Sequence, residues 1–191
     1  MRSPIRSLPS SPCKSSPPPL PDSQKKTLCI SVFRTIIHTS LNPPPGAYDF
    51  SLDLVKNEKT STLYVILRPG YQIVIITASV RDYASPIIDR LDPNGLIAHR
   101  LYRDSCKRNK QGMPIKDLAL TGRSLDRCII IDDIWRRVPQ WDNVVRIRPF
   151  KGDMKDAELM RLLQFFYVER RYEDLRDAVS HVNEWFGYQH L

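Results

Sequence analysis

Two strongly apolar runs of this sequence end in polar residues that could bind a charged ligand. Residues 72–79 read QIVIITAS, and residues 128–133 read CIIIDD. Both runs are short and rich in isoleucine, which indicates buried β-strands. In an open α/β sheet, ligands bind beyond the carboxyl ends of the strands. The residues that close these two runs are therefore the first candidates for a functional site.

The residue types at these positions suit phosphate and magnesium chemistry. The hydroxyl of Thr77 and the backbone N–H groups around it could donate hydrogen bonds to a phosphate group. Asp132 and Asp133 offer hard oxygen ligands of the kind that Mg²⁺ prefers. Lys116, in the segment IKDL, could neutralise phosphate charge. Taken singly, each residue also fits an ordinary role: a cap for Thr77, a turn for the aspartates, an exposed position for the lysine.

The elements that must position these residues alternate between strands and helices. Residues 81–91 have apolar side chains at helical spacing, and Pro86 among them predicts a helix that starts late or bends. Apolar strands that alternate with helices predict an α/β fold whose sheet is covered on both faces. Strands are predicted at residues 27–32, 62–67, 72–77, 128–132 and 144–148.

The C-terminal part of the chain is predicted to form two helices. Its apolar residues recur at helical spacing in two stripes, within residues 159–167 and 175–186. Asp153 is the expected cap of the first helix, and Gly187 is the expected end of the second. We interpret the aromatic residues of both stripes as core residues rather than as a ligand-binding box.

The bulk composition fits one globular domain with a basic surface. The 191 residues are 41% hydrophobic and 26% charged, with a formal net charge of +8. The longest apolar runs fall far short of the ~20 residues of a membrane-spanning helix, so no membrane span is expected. The densest basic run, residues 99–110, has no interleaved pattern of aromatic residues that could stack on bases, so nucleic acid is not an expected partner. The four cysteines form no CxxC pair, which favours reduced, packed thiols.

Residues 1–24 form a separate segment by composition, with seven prolines and seven serines. Such a segment cannot bury enough apolar surface to offset the entropy of ordering, so we expect a disordered tail. Its basic, acid-poor composition also resembles a transit peptide, although the prolines oppose the amphipathic helix of such a peptide. The predicted organisation is this tail, one domain at residues 25–187 and a short tail at residues 188–191.

Many segments of the chain match one protein family in the same order. They include SLNPPPGAYDFSL, YVILRPG, QIVIITAS, RDYASPIIDRLDP, HRLYRDSC, IKDLALTGRSLDR and IIIDD. On these segments the chain resembles the haloacid dehalogenase superfamily. Within it, the chain is similar to the phosphatases that act on the C-terminal domain of RNA polymerase II, with an Fcp1-homology domain, and especially to plant members. The resemblance implies a haloacid-dehalogenase-like, Rossmannoid parallel sheet with flanking helices.

The family's functional residues can be matched to this sequence one position at a time. The resemblance implies that Thr77, Lys116 and Arg103 bind the phosphoryl group of the substrate. It also implies that Asp132, with Asp133 beside it, helps to hold Mg²⁺. The implied substrate is a phosphorylated protein segment, and the family activity is Mg²⁺-dependent protein serine/threonine phosphatase.

The first motif of the family departs from this pattern. The family typically has KKTLVLDLDETLVHSS where this chain has KKTLCISVFRTIIHTS. Ser31 therefore stands at the position of the nucleophilic aspartate, Phe33 at the acid–base aspartate and Arg34 at the following glutamate, whereas Thr35 matches. A serine cannot form the reactive acyl phosphate, and a phenylalanine cannot transfer protons. The resemblance then implies no intact catalytic residues, no family-type hydrolysis, and Mg²⁺ binding that is weak or absent.

A second departure lies between the RPG segment and the strand that ends in TAS. Relatives have a helix there, whereas here Gly70 is followed directly by Tyr71 and the strand. If the strands at 62–67 and 72–77 are parallel neighbours, this link is too short, because a parallel crossover needs about a dozen residues. We expect that one crossover helix is missing, or that the two strands pair as a hairpin around residues 68–71.

Three hypotheses about function follow. The chain could be a pseudophosphatase that binds a phosphorylated protein segment, located in the nucleus or cytoplasm. It could be a truncated or incorrectly assembled copy of an active phosphatase, which transcripts across residues 28–34 and 70–71 would reveal. It could also be a phosphatase-like subunit of the mitochondrial presequence translocase, although members of that branch have a transmembrane helix ahead of the domain. The sequence gives no indication of an oligomeric state.

Overall fold

The computed structural model describes residues 26–35, 37–38, 62–63, 71–151 and 156–188. Within these ranges, the strands and helices follow one another along the chain as β1 (Lys26–Ile30), β2 (Ile37–His38), β3 (Thr62–Leu63), β4 (Tyr71–Ile76), α1 (Arg81–Leu91), β5 (Ile97–Leu101), β6 (Lys107–Arg108), β7 (Pro114–Ile115), β8 (Cys128–Asp132), β9 (Val144–Arg146), α2 (Glu158–Val168) and α3 (Leu175–Trp185).

Five strands form one parallel sheet in the order β5-β4-β1-β8-β9. The central strand is β1, in which Ile30 is level with Ile75 of β4 on one side and with Ile131 of β8 on the other. Two short antiparallel pairs stand apart from this sheet, β2 with β3 and β6 with β7. The predicted α/β fold with a parallel sheet and flanking helices is confirmed.

The sheet is buried on both faces, but the three described helices pack on only one of them. On that face, apolar side chains such as Leu28 of β1 meet the inner sides of α1, α2 and α3. The opposite face, which includes Cys29 and Ile130, is covered by side chains from short 3₁₀ turns and loops, among them Leu118 and Val138. Successive residues of a strand point to opposite faces, so each central strand must be apolar throughout.

Helix α1 covers the predicted residues, Arg81–Leu91. The expected late start is wrong, because the helix begins at Arg81 and contains Pro86. The N-terminal turn is closed by backbone bonds in which Tyr83 and Ala84 donate to the carbonyl of Val80. Pro86 removes only one N–H donor from this helix, so the rest of the helical hydrogen bonding can continue around it.

The hairpin that we considered around residues 68–71 is wrong. Strand β4 has a parallel partner on each side, β1 and β5, so both of its edges are already paired. The described part of the strand predicted at 62–67 is β3, which pairs with β2 instead. The link at residues 64–70 lies outside the described residues, so the missing crossover helix stays a prediction.

The two C-terminal helices form where the stripes predict them. Gly187 follows α3 with a φ of 71°, a left-handed conformation that ends a helix readily. The expected cap of α2, Asp153, lies outside the described residues. The assignment of Tyr167 to the core is wrong, since it is 65% exposed. The buried face of α2 contains Phe165, and a residue two positions later lies about 200° around the helix.

The predicted packed thiols are confirmed for the three cysteines that the structure describes. Cys29, Cys106 and Cys128 are free and buried, and the sulfur atoms of Cys29 and Cys128 lie 3.7 Å apart on neighbouring strands. Of the predicted tails, residues 1–24 and 189–191 lie outside the described ranges, whereas Tyr188, the first residue of the predicted tail 188–191, is buried. No helix in the described part of the chain is long and apolar enough to cross a membrane.

Candidate functional site

Polar residues follow the three central strands at the same edge of the sheet. Ser31 comes directly after β1, Thr77 directly after β4, and Asp132 is the last residue of β8. The backbone N–H of Ser31 donates to the carbonyl of Ile131 (3.0 Å), which continues the pairing of β1 with β8. All three polar residues are buried. The structure therefore gathers the strand-end residues at the position that the sequence suggests.

Lys116 joins two of these strand ends through its side chain. Its Nζ donates to Ser31 Oγ and to Asp132 Oδ2, each at 2.6 Å. The lysine and the aspartate are both almost completely buried. Buried charges are stable only when they are paired and hydrogen-bonded, and this ion pair meets that condition.

A short turn after Lys116 fixes the backbone from which its side chain extends. The backbone N–H of Lys116 donates to the carbonyl of Arg137 (2.8 Å). Asp117 then caps the 3₁₀ turn Leu118–Thr121 by accepting from the N–H of Ala119 (3.0 Å). Partial burial acts to raise the pKa of Asp117, but hydrogen bonds from Gln140, Ala119 and Lys107 outweigh it and lower this pKa.

Asp133 lies beside the ion pair in a less satisfied environment. Its side chain is only 1% exposed, and neither carboxylate oxygen accepts a hydrogen bond from the residues that the structure describes. Arg34 Nε lies 3.3 Å from Asp133 Oδ2, on a side chain that is 55% exposed. Burial, and then the charge of Asp132, raise the pKa of Asp133, while Arg34 and Lys116 act in the opposite direction.

These donors do not make a convincing Mg²⁺ site. One oxygen of Asp132 accepts from Lys116, and the other accepts from the N–H of Ile134 (2.9 Å). Asp133 is paired with Arg34, and Ser31 supplies a hydroxyl in place of a carboxylate. Within the described residues, no group of three or more His, Cys, Asp or Glu side chains is arranged to hold a metal ion. Cationic side chains instead lie beside both aspartates.

The first-motif residues turn away from the strand end in different directions. The ring of Phe33 packs against the main core, with its centroid 5.2 Å from that of Tyr83. Arg34 has a φ of 63°, and its carbonyl accepts from the N–H of Phe150 (2.7 Å). This left-handed conformation is unusual for a residue with a Cβ atom, and it occurs in a turn formed by Arg34 and Thr35. Thr35 is buried, and its hydroxyl has no hydrogen-bond partner among the described residues.

Thr77 and Arg103 meet at the loop that follows β4. Thr77 Oγ1 accepts from the N–H of Ser79 (3.1 Å), which leaves the hydroxyl hydrogen available to an acceptor on a ligand. Arg103 donates from Nε to the carbonyl of Ala78 (2.5 Å), and its side chain is exposed. The structure thus places Arg103 at the Thr77 loop, whereas Lys116 lies deeper, against Ser31.

The sequence interpretation missed Arg81, which lies at the same loop. Its guanidinium stacks on the ring of Tyr102, 4.2 Å from the centroid, and lies 3.6 Å from Asp104. The only sequence signal is an arginine in the helix turn that follows TAS. Nearby, burial raises the pKa of the Cys106 thiol, with Lys116 and Arg103 opposing this shift. A buried thiol with a raised pKa is a poor nucleophile at neutral pH.

The arrangement as a whole brings donors that suit an anion to one end of the sheet. The Thr77 hydroxyl and the guanidinium of Arg103 are donors at the loop, and Lys116 adds a buried positive charge. The group that touches Ser31 Oγ is an ammonium donor rather than a base. A serine nucleophile needs a neighbouring base or a lowered pKa to attack.

Comparison with known proteins shows that this chain is similar to members of one phosphatase family. The family model of NLI interacting factor-like phosphatases matches residues 26–176. The CTD small phosphatase-like protein of Homo sapiens is 32% identical over 166 residues, covering 81% of this chain and 59% of that protein. The human carboxy-terminal domain RNA polymerase II polypeptide A small phosphatase 1 is 33% identical over 166 residues, covering 81% and 63%. Phosphatase Herzog of Drosophila melanogaster is 29% identical over 194 residues, covering 88% and 54%.

Among solved structures, a structure of Fcp1, described as an essential RNA polymerase II CTD phosphatase, aligns with a TM-score of 0.47 and 21% identity. That alignment covers 83% of this chain and 53% of the other. The chain also spans less than two thirds of the length of each of the three relatives named above. Because the family model matches well over half of the chain, and the human relatives exceed 30% identity, the protein belongs to the NLI interacting factor-like phosphatase family.

Proposed function

We propose that this chain binds a phosphorylated protein segment at the candidate site and does not hydrolyse it by the aspartyl-phosphate route of its family. The relatives are named as phosphatases, and one name specifies the carboxy-terminal domain of RNA polymerase II. A phosphoserine or phosphothreonine segment is therefore the ligand class that family membership favours. The residues of this chain favour binding over turnover.

The contact between Lys116 and Ser31 is the observation on which this proposal depends. Lys116 Nζ donates to Ser31 Oγ at 2.6 Å and to Asp132 at the same distance. A lysine that donates to both the hydroxyl and the carboxylate is not placed to accept the serine proton. Phe33, which stands where the family resemblance places the acid–base aspartate, is partly buried and packs against the core. General acid–base catalysis alone is typically worth ~10²–10⁴-fold in rate, and a phenylalanine at this position cannot contribute to it.

The phosphoryl group would bind at the loop after β4. The Thr77 hydroxyl and the Arg103 guanidinium provide charge-assisted and neutral hydrogen bonds, which suit a phosphate dianion. The positive charges of Lys116 and Arg34 offset the negative charges of Asp132 and Asp133. The aspartates therefore repel a phosphate ligand less than an unpaired pair of carboxylates would. We propose that this binding is independent of Mg²⁺, because cationic side chains lie where the aspartates would hold the metal.

The proposal is tested by the binding of a labelled phosphoserine peptide from the C-terminal domain of RNA polymerase II, followed by fluorescence anisotropy. We expect the phosphopeptide to bind in EDTA as well as in Mg²⁺, and the unphosphorylated peptide to bind at least tenfold more weakly. Arg103→Ala should weaken binding by about tenfold, the effect of losing one charge-assisted hydrogen bond.

Arg170→Ala is the matched control for the loss of one exposed arginine. Arg170 lies in the turn Glu169–Arg171, whose Glu169 pairs with Lys26 at the opposite end of β1. This variant should bind the phosphopeptide as the native chain does. Equal affinity for the two peptides would contradict the proposal. So would hydrolysis of an aryl phosphate by the native chain that Ser31→Ala abolishes.

The double change Ser31→Asp, Phe33→Asp addresses the hypothesis of an active copy with an altered first motif. Both changes restore the residue types that the family resemblance assigns to these positions. Turnover of an aryl phosphate with Mg²⁺ by the double variant, but not by the native chain, would mean that only the first motif has been lost. If neither chain turns over the substrate while the phosphopeptide still binds, the lack of turnover has a cause beyond the substitutions at Ser31 and Phe33.

A further inference from the structure

Two arginine side chains lie over one tryptophan ring beside the candidate site. The guanidinium carbon of Arg136 is 4.4 Å from the centroid of the Trp135 ring, and that of Arg146 is 4.2 Å from it. We call these three residues the arginine–tryptophan cluster. A planar guanidinium that stacks on an aromatic ring keeps its N–H groups at its edge, where they can still donate to an anion.

The two positive charges of this cluster are not neutralised by the described part of the protein. Among the described residues, no carboxylate forms an ion pair with either arginine. Burial, and then the charge of Arg136, lower the pKa of Arg146. Two like charges held this close destabilise each other, and a bound anion would relieve the repulsion between them.

Arg146 has a fixed backbone and an incomplete set of hydrogen bonds. Its backbone N–H donates to Asn183 Oδ1 (3.1 Å), and one of its terminal nitrogens donates to the carbonyl of Tyr188. Its Nε is buried and has no hydrogen-bond partner among the described residues. The guanidinium of Arg136, by contrast, is exposed and forms no hydrogen bond to another described residue. Arg136 is therefore the member of the cluster that can reorient toward a ligand.

The cluster lies at the same edge of the sheet as the candidate site. Arg146 is level with Asp132 of the neighbouring strand β8. The other two members belong to the short 3₁₀ turn Trp135–Arg137. The carbonyl of the last residue of that turn accepts a hydrogen bond from the backbone N–H of Lys116 (2.8 Å). A ligand that extends along the ends of the strands would therefore meet both the candidate site and the cluster.

The order of the strands sets the distance between the cluster and the loop after β4. Thr77 follows β4, and Arg146 lies on β9, three strands away in the order β4-β1-β8-β9. Neighbouring strands are ~4.8 Å apart, so the two positions are about 14 Å apart along the edge of the sheet. An extended peptide rises ~3.4 Å per residue, so this distance corresponds to roughly four residues of a bound segment.

We propose that the arginine–tryptophan cluster binds a second phosphate group, about four residues from the first, on the phosphorylated protein segment. This inference rests on the proposed function, because the loop at Thr77 must hold the first phosphate. Arginine suits a phosphate dianion, since its planar fork can donate two parallel hydrogen bonds to it. The chain would therefore select doubly phosphorylated segments over singly phosphorylated ones.

The experiment compares labelled peptides of one host sequence by fluorescence anisotropy with the full chain. Each peptide carries a central phosphoserine, either alone or with a second phosphoserine one or four residues away on either side. We expect one of the two peptides with the four-residue spacing to bind about tenfold more tightly than the singly phosphorylated peptide, the effect of gaining a charge-assisted contact. The peptides with adjacent phosphoserines have the same net charge, and their gain should stay below about threefold.

Arg136→Ala should reduce the affinity for the doubly phosphorylated peptide to that for the singly phosphorylated one. Arg136→Lys keeps the charge but loses the planar fork, so it should retain only part of the gain. Arg170→Ala, the matched loss of an exposed arginine, should retain the full gain. A gain that survives Arg136→Ala, or that is equal at both spacings, would overturn the inference and leave the proposed function standing. If no phosphopeptide binds, the proposed function fails and the inference fails with it.

Discussion

Lys116 Nζ donates hydrogen bonds to the Ser31 hydroxyl and to the Asp132 carboxylate. These two contacts link the ends of β1 and β8. The Lys116 and Asp132 side chains are both buried, so each charge depends on the other. Removing one partner of such a pair typically costs ~3–5 kcal/mol, because the remaining charge is left without compensation. The pair therefore gives a sharp test at the scale of single residues.

We predict that Lys116→Met and Asp132→Asn each lower the free energy of unfolding by ~3–5 kcal/mol, whereas the double variant loses much less than the sum. The physical reason is that the double change removes both buried charges together. The measurement is a double-mutant cycle. It compares the urea unfolding of the native chain, the two single variants and the double variant.

The control for this cycle is Lys107→Met, the same substitution at a lysine whose side chain is 73% exposed. Its salt bridge with Asp117 lies at the surface, so this variant should lower the free energy of unfolding by at most ~1 kcal/mol. If the losses at Lys116 and Asp132 were additive, the two side chains would not be coupled and our description of the site would be wrong.

At the residue scale, the sequence foretells part of the site. Ser31, directly after β1, is two positions from Cys29, and Asp132 is two positions from Ile130 on β8. Strand alternation therefore already directs Ser31 and Asp132 toward one face. The pairing of Arg34 with Asp133 is different in kind. It depends on a left-handed turn at Arg34 and on contacts between residues about a hundred positions apart, neither of which a local pattern specifies.

The element that positions Lys116 is the turn Leu118–Thr121, and its cap is Asp117. We predict that Asp117→Ala lowers the free energy of unfolding at pH 7 by ~1 kcal/mol, the usual loss for a capping side chain. The pKa of Asp117 is lowered in the folded state, so its stabilising effect is present above its unfolded value of 3.8. That effect is lost as the pH falls through the lower, folded-state pKa.

The difference in stability between the native chain and Asp117→Ala should therefore shrink as the pH falls below about 4. Thermal unfolding from pH 7 down to pH 3 measures this difference directly. Asp117→Asn keeps a capping oxygen but removes the charge, so it should retain most of the stability at pH 7 and show less pH dependence. A difference that grows with acidity would contradict the assigned direction of the pKa.

At the scale of elements, periodicity locates the long elements and misses the short or polar ones. The stripes predict α2 and α3, and the apolar runs predict β1, β4 and β8, because these elements bury whole faces. Strand β5 escapes prediction because its sequence, IAHRL, mixes charged and apolar residues at the edge of the sheet. The absence of described helices from one face of the sheet is also unpredictable from local periodicity, since both faces of the strands are apolar.

For the whole molecule, ligand binding should appear as a change in global stability. We predict that inorganic phosphate raises the melting temperature, because a ligand that binds only the folded state stabilises it. At about ten times the dissociation constant the gain is ~1.4 kcal/mol, which for a chain of this size corresponds to a rise of roughly 3–6 °C. Sodium chloride at equal ionic strength, measured by calorimetry beside it, should have a smaller effect.

Mg²⁺ alone should leave the melting temperature unchanged, since cationic side chains already lie beside both aspartates. At the same phosphate concentration the gain should fall to about 0.4 kcal/mol in Arg103→Ala, whose affinity is about tenfold weaker, and should be retained by Arg170→Ala. A rise in melting temperature with Mg²⁺ in the absence of phosphate would contradict the proposal that binding at this site does not involve the metal. Equal stabilisation by phosphate and chloride would mean that phosphate acts only by general screening of the net charge of +8.

The central position of β1 has a consequence for how the protein is made. One neighbour of β1 begins at Tyr71 and the other at Cys128. At a synthesis rate of ~5–20 residues per second, the strand with Cys29 and Ile30 emerges roughly 5–20 s before β8 can pair with it. Such long-range parallel pairing folds slowly. We expect the nascent chain to depend on chaperones that shield this strand, with Ser31 reaching Lys116 and Asp132 only after β8 has been translated.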